Sequence, residues 1–157
     1  MKIAVVFDTL HPDWVDADYK REMGEKAAEA EYDVARALVS LDHDVLMVGV
    51  GGELAPVLVA LADFQPKVVF NGCEAFRSSA RHDYGVATVL DMHGYRCTGS
   101  SPTGLLVARN KSLSKKILAY HDIRVPAFAE FPPGEKPVRP GSSALVPGVP
   151  LRYHHNL

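Results

Sequence analysis

Three short, uninterrupted apolar runs constrain this sequence more than any other feature. The runs lie at residues 2–7, 44–50 and 67–71, and each contains valine. Runs of this length without polar alternation are typical of strands that are buried on both faces of a parallel sheet. The segments between them, at residues 21–41 and 53–64, repeat apolar side chains at three- and four-residue steps and predict helices. Strands that alternate with helices predict an α/β fold with right-handed crossovers.

The pattern continues beyond the third run. A helix is predicted from about Ser79 to His93, and Gly94 is well placed to end it in a left-handed conformation. Residues 95–98 predict a brief fourth strand, and residues 127–131 are a candidate fifth. The fold class is therefore an open, mostly parallel, Rossmann-like sheet of four or five strands with flanking helices.

Two more helices are predicted between these last two segments. Ser101 and Pro102 suit the N-cap and first turn of a short helix that ends near residue 107. The next helix has a capping residue at Asn110 or Ser112. Its apolar side chains are expected to face inward; they are Leu113, Ile117 and Leu118.

Composition excludes several classes of function. The chain has 157 residues and a formal net charge of −2, with no basic cluster, so nucleic acid is not an expected partner. No apolar run approaches the roughly 20 residues that cross a bilayer, so no membrane association is expected. Two cysteines, Cys73 and Cys97, are interpreted as reduced thiols of a cytoplasmic protein.

Composition changes abruptly near Phe131. Residues 132–157 hold six of the eleven prolines, and they carry three basic groups against one acid. We therefore expect an α/β domain at residues 1–131, followed by a Pro/Gly-rich tail at 132–157 that is irregular or exchanged with a partner.

Ligands of open parallel sheets bind beyond the carboxyl ends of the strands. The loop after the third run, residues 72–82, concentrates polar groups there. Glu74 can receive an ammonium group, and Arg77, Arg81 and His82 can receive a carboxylate or phosphate. A plain surface loop is the alternative, and so is a Cys73–His82 nucleophile, although no thiol-enzyme signature is present.

Three other loops are candidates. Residues 8–19 mix His and Asp without the spacing of a known metal site, which favours a flexible acidic loop. The glycines of residues 49–52 follow the second strand and lack Gly-Lys-Ser/Thr, which favours a turn over a phosphate loop. Residues 98–111 form a small-residue turn before two helices, where Lys111 adds a positive charge for an anion.

The order of these motifs resembles the D-alanine–D-alanine ligase branch of the ATP-grasp family. The resemblance spans residues 2–131 and rests on an ordered set of short motifs. They are Val68-Val69-Phe70-Asn71, Glu74, Cys97-Thr98-Gly99-Ser100-Ser101, Asn110-Lys111 and Asp122-Ile123-Arg124-Val125-Pro126. The resemblance implies that the chain is the amino-terminal, pre-ATP-grasp domain of such a ligase.

This resemblance also implies the chemistry. The parent enzyme would use ATP and magnesium to activate a carboxylate as an acyl phosphate and then join it to an amine. Lys111 would bind the ATP phosphates, and no catalytic residue or metal ligand is expected in this chain. The substrate-side residues would be Glu74, Arg77, Ser78, His82, Ser100 and Ser101. The family also pairs through this domain, which implies a homodimer or larger oligomer.

Two departures from the family pattern leave the substrate open. Arg77-Ser78-Ser79 stands where the family has a glycine-rich stretch, and the family's Gly-Gly-x-Ser-x-Glu is missing after the first strand. D-Alanine, another amino acid and a small peptide therefore all remain candidate substrates.

The ATP-grasp domains would have to follow Pro126 and do not fit in 31 residues. A truncated or frame-shifted product, inactive alone, is one hypothesis. A natural stand-alone module that binds a nucleotide or a partner is another, and a small flavodoxin-like domain is a third.

Overall fold

The computed structural model of the chain describes residues 1–9 and 29–128. In those residues it contains three strands and five α-helices. The strands are β1 (Lys2–Asp8), β2 (Asp44–Val50) and β3 (Val68–Asn71). The helices are α1 (Glu29–Ser40), α2 (Ala55–Phe64), α3 (Asp83–Met92), α4 (Pro102–Arg109) and α5 (Lys111–Tyr120), and a 3-10 turn (Ala80–His82) precedes α3. The predicted α/β class is confirmed.

β1 is the central strand of a parallel sheet with the order β2-β1-β3. Val6 is paired with Val48 on one side and with Asn71 on the other. The side chains of residues 3–7 are all buried, because successive side chains point to opposite faces and both faces are covered. This arrangement explains why the strand reads as a continuous apolar run.

Helices cover the two faces of the sheet with separate apolar cores. On one face, Ala4 and Val6 of β1 pack with buried side chains of α2 and α3, including Leu61 and Leu90. On the other face, Val5 and Phe7 pack with Ala35 and with half-buried apolar side chains of α1. The periodicity predicted for α2 therefore describes a face that is buried against the sheet. In α1, Val34 and Leu38 pack on the core as predicted, whereas Leu41, beyond the end of the helix, is 65% exposed.

The predicted strand count was too high for the residues that the structure describes. Residues 95–98 form only one bridge, between Val69 and Cys97. The Val69 N–H donates to the Arg96 carbonyl over 2.8 Å, and the Thr98 N–H donates to the Val69 carbonyl over 2.9 Å. Gly99 (φ +92°) then turns the chain away, so the pairing cannot extend. In the candidate fifth strand, residues 127 and 128 are not extended in a sheet, and 129–131 lie outside the described residues.

The predicted helix ends are largely confirmed. Gly94 follows α3 with φ +77°. Its N–H donates to the Asp91 carbonyl over 2.9 Å. Ser101 caps α4, because its Oγ accepts from the Gly104 N–H over 3.2 Å. Asn110, rather than Ser112, caps α5. Residues 21–28 of the predicted first helix lie outside the described residues.

The inward orientation predicted for the apolar side chains of α5 was wrong. Leu113, Ile117 and Leu118 are 41%, 39% and 38% exposed. The chain divides into two compact units, Met1–Leu106 and Val107–Leu157, and the sheet and both cores belong to the first. Helical periodicity identifies an apolar face, but it does not identify what covers that face. The predicted boundary near residue 131 stays a prediction, since 129–157 lie outside the described residues.

Leu90 tests the importance of the α3 contact with the sheet. Its side chain is 1% exposed. We expect Leu90→Ala to lower the free energy of unfolding by about 2–5 kcal/mol, because it leaves a cavity in the larger core. Val59→Ala, at a position that is 62% exposed, is the control and should change it by less than about 0.5 kcal/mol. Urea denaturation gives both values, and equal effects would contradict this packing.

Candidate functional site

The carboxyl ends of β1 and β3 bring Asp8 and Glu74 together. After β3 the chain continues beside β1, because the Gly72 N–H donates to the Val6 carbonyl over 2.8 Å. Two residues later, the Glu74 N–H donates to Oδ1 of Asp8, also over 2.8 Å. Both residues therefore lie at the edge of the sheet where loops follow parallel strands and where ligands of such folds bind.

Glu31 of α1 faces the same edge. A Cβ atom added to Gly72 would lie 3.3 Å from Cγ of Glu31, so the glycine permits this close approach. Burial raises the pKa of Glu31, a backbone hydrogen bond opposes part of that shift, and the charges of Asp8 and Glu74 raise it further. We call Asp8, Glu31 and Glu74 the acidic edge. Its concentrated negative charge suits a cationic group such as an ammonium.

Cys73 is half-buried next to the acidic edge. Burial raises the pKa of its thiol, and the charges of Asp8 and Glu31 raise it further. A nucleophilic cysteine requires a lowered pKa, usually from a neighbouring positive charge. His82, the partner considered from the sequence, is exposed at the end of the 3-10 turn. These surroundings disfavour a thiol nucleophile.

Arg77 and Ser78 are the central residues of a tight two-residue turn between Phe76 and Ser79. The Phe76 N–H donates to the Ser79 carbonyl over 3.1 Å, and the Ser79 N–H donates back to the Phe76 carbonyl over 3.0 Å. Arg77 (φ 51°) and Ser78 (φ 59°) are both left-handed. Arg77 Nε donates to the Gly52 carbonyl over 2.7 Å, and its guanidinium lies 5.6 Å from the centre of the Phe76 ring.

Ser100 and Ser101 lie in the turn that follows the bridge between residues 69 and 97. Oγ1 of Thr98 accepts from the Asn71 N–H over 3.2 Å, which connects the start of this turn to the end of β3. The hydroxyl of Ser101 is used in capping α4. A Cβ atom added to Gly104 would lie 3.2 Å from Cβ of Ser100, so the turn packs closely on the first turn of α4.

Lys111 is the first residue of α5 and is exposed. Oδ1 of Asn110 accepts from the Leu113 N–H over 2.9 Å and caps the helix directly before it. Lys111 belongs to the second unit, whereas the other predicted site residues belong to the first. The start of a helix favours negative charge, and an exposed ammonium there adds to that preference.

Glu74 follows a strand, as the sequence predicts, but the other two members of the acidic edge are not among the predicted site residues. Asp8 was assigned to a flexible acidic loop, although its position directly after a buried run was a usable signal. Glu31 was not selected, and no local pattern marks it. Residues 10–19 of that first candidate loop lie outside the described residues. Among residues 1–9 and 29–128, no group of three or more His, Cys, Asp or Glu side chains is arranged to hold a metal ion.

Three curated proteins with similar sequences point to one family. A D-alanine–D-alanine ligase from Moorella thermoacetica is 30% identical over 125 residues, which are 76% of this chain and 38% of that protein. The ligase of the same name from Rhizorhabdus wittichii is 31% identical over 137 residues, 79% of this chain and 42% of that protein. The chain is similar to the amino-terminal region of the D-alanine–D-alanine ligases.

The resemblance predicted from the ordered motifs is thus confirmed. A third D-alanine–D-alanine ligase, from Sphingopyxis alaskensis, is 34% identical over 93 residues, which are 59% of this chain and 28% of that protein. The chain spans less than half the length of these relatives. No family model matches it. Among the helices of the described residues, none is long and apolar enough to cross a membrane.

Glu31 predicts a dependence of stability on pH. In the unfolded chain its carboxyl ionises near its ordinary value of 4.5, whereas in the folded chain its pKa is higher. Its contribution to stability therefore falls as the pH rises from the unfolded value through the folded value. Glu31→Gln changes the free energy of unfolding relative to wild type, and we expect this change to be more favourable to the folded state at pH 7 than at pH 4. Urea denaturation at both pH values measures this.

Glu53→Gln is the matched control, because Glu53 is exposed and lies before α2. Its effect should be similar at the two pH values. An effect of Glu31→Gln that does not change with pH would contradict the assigned surroundings of this carboxyl.

Proposed function

We propose that this chain forms the amino-terminal, substrate- and ATP-side domain of an ATP-dependent carboxylate–amine ligase that resembles D-alanine–D-alanine ligase. The observation that carries the proposal is the identity of 30% and 31% to two such ligases over 76% and 79% of the chain. The parent enzyme uses ATP and magnesium to form an acyl phosphate, which an amine then attacks to release phosphate. We propose that the reaction takes place in the cytoplasm.

The acidic edge is the proposed binding site for the amino group of an amino acid or small peptide. An ammonium group there would be attracted by three carboxylates and would relieve their mutual repulsion. Arg77, His82 and the hydroxyl of Ser78 follow in the same loop and are the proposed contacts for the carboxylate of the substrate. Ser100 and Ser101 are proposed to border this site from the next turn. The location of Glu74 beside Asp8 supports this assignment.

Lys111 is the proposed contact for ATP. A lysine at the start of a helix presents a positive charge at the positive end of the helix dipole, and both attract phosphate. Its role would be to neutralise negative charge on the phosphates during phosphoryl transfer. The chain alone is expected not to catalyse ligation, because it spans only 28–42% of the length of the relatives. The ATP-grasp domains would supply the remaining ATP and magnesium ligands.

Calorimetry of ATP-Mg binding tests the role of Lys111. We expect the wild-type chain to bind and Lys111→Ala to weaken binding by about tenfold or more, as expected when a charge-assisted contact to phosphate is lost. Lys67→Ala is the matched control. Lys67 is exposed and directly precedes β3, at the opposite end of the strands from the loops.

Weaker ATP-Mg binding by Lys111→Ala, with unchanged binding by Lys67→Ala, supports the ATP-side assignment. Absence of binding by the wild-type chain contradicts it, and so does an equal effect of the two substitutions.

A stand-alone module that pairs with a second copy of itself is the alternative function. The observation that favours it is a group of exposed apolar side chains in the second unit. They are Leu113, Ile117, Leu118, Tyr120 and Ile123. Exposed apolar groups that lie together commonly mark interaction surfaces.

Sedimentation velocity tests this alternative. Leu113, Ile117 and Tyr120 share a face of α5, since they are spaced by four and three residues. We expect the chain to sediment as a dimer and Ile117→Lys to convert it to a monomer, because a charge in an apolar contact is costly. Ala119→Lys, about half a turn away on the same helix, is the control and should leave the dimer intact. A monomeric wild type would contradict the pairing.

A further inference from the structure

The turn between Phe76 and Ser79 has an unfavourable local sequence. A two-residue turn with positive φ at both central positions is the type I′ turn, which strongly prefers Asn-Gly or Gly-Gly. Here the central residues are Arg77 (φ 51°) and Ser78 (φ 59°), and neither is glycine. Left-handed backbone is disfavoured for residues with a Cβ atom, so something outside the turn must hold it.

The external contact is the hydrogen bond from Arg77 to the turn after β2. Nε of Arg77 donates to the Gly52 carbonyl over 2.7 Å, which is a short distance for a charged donor. The guanidinium also lies 5.6 Å from the centre of the Phe76 ring. Beyond Gly72, the loop after β3 is thus attached at two points. The Glu74 N–H donates to the carboxylate of Asp8, and Nε of Arg77 donates to the backbone that follows β2.

We propose that Arg77 is a positioning residue whose hydrogen bond to Gly52 holds the turn in place and thereby keeps Glu74 beside Asp8 in the acidic edge. Only two residues lie between Glu74 and Arg77, so movement of the loop at one of these points displaces the other. The inference deepens the proposed function, and it rests on that function for the role of the acidic edge in binding an amino group. The position of Glu74 itself is measurable without any ligand.

Amide hydrogen exchange on the full chain measures the attachment directly. We expect Arg77→Lys to speed the exchange of the Glu74 and Ser79 amides by about tenfold or more, because lysine keeps the charge but loses the Nε donor. Arg81→Lys is the matched control. Arg81 is a neighbouring exposed arginine in the 3-10 turn, and this substitution should leave both rates unchanged.

Ser78→Gly supplies a rescue. Glycine adopts positive φ without a Cβ penalty, so it makes the turn stable without the external contact. The double variant Arg77→Lys/Ser78→Gly should recover most of the amide protection. A general loss of stability would not be corrected by a substitution at the tip of an exposed turn.

The pKa of Glu31 gives a second readout of the position of Glu74, and the Glu74→Gln background separates this effect from a general loosening. The pKa is raised first by burial and in smaller part by the charges of Asp8 and Glu74. Release of the loop should therefore lower it, and carbon-13 NMR titration would show Arg77→Lys moving it towards the value in Glu74→Gln. In the Glu74→Gln background Arg77→Lys should have no further effect.

Binding of D-alanine, followed by the same NMR signals, separates this inference from the proposed function. Binding of D-alanine by the wild-type chain, together with faster exchange in Arg77→Lys, supports both. Faster exchange and a shifted Glu31 pKa without D-alanine binding in any variant supports the positioning role and counts against the assigned substrate site. Exchange rates and a Glu31 pKa that are unchanged in Arg77→Lys would overturn the inference.

Discussion

The burial of β1 on both faces is the constraint on which the rest of the structure depends. Its side chains from Ile3 to Phe7 are at most 5% exposed, and its backbone is paired with a neighbour on each side. A strand with this environment has to be central, and it can carry polar side chains only at its ends. Asp8 is the first residue beyond the apolar run. Parallel pairing places the ends of β2 and β3 at the same edge. Ionisable groups are concentrated at this edge because the buried parts of the strands are apolar.

The chain after β3 bonds first to the backbone of β1 and then, at Asp8, to a side chain. The Gly72 N–H still bonds to a backbone carbonyl, whereas the Glu74 N–H bonds to the Asp8 carboxylate. The second hydrogen bond holds Glu74 beside Asp8, and α1 contributes Glu31 to the same edge. Like charges held close together repel, and this repulsion costs free energy. A bound cation removes that cost, so the repulsion within the acidic edge increases the preference for a positively charged ligand.

The sequence was sufficient for those features that local patterns determine. Buried runs predicted the three strands, and Ser101, Asn110 and Gly94 predicted helix ends through their own backbone preferences. It failed where the outcome depends on what another segment provides. The predicted fourth strand is reduced to one bridge at Cys97, and the apolar side chains of α5 are exposed. Glu31 reaches the site only because α1 packs over Gly72, and a backbone carbonyl such as that of Gly52 has no sequence signature as an acceptor.

The turn at Arg77 and Ser78 is a conflict between local preference and overall structure. Such conflicts in folded proteins are concentrated at functional positions, where another interaction offsets their cost. In this turn the compensating hydrogen bond joins the segment after β3 to the segment after β2, and β1 lies between these two strands. A Gly-rich turn would be stable by itself and would leave the two segments independent. With Arg77 in place, the position of Glu74 depends on the glycine turn after β2, so substitutions near Gly52 can alter the acidic edge without touching any ligand.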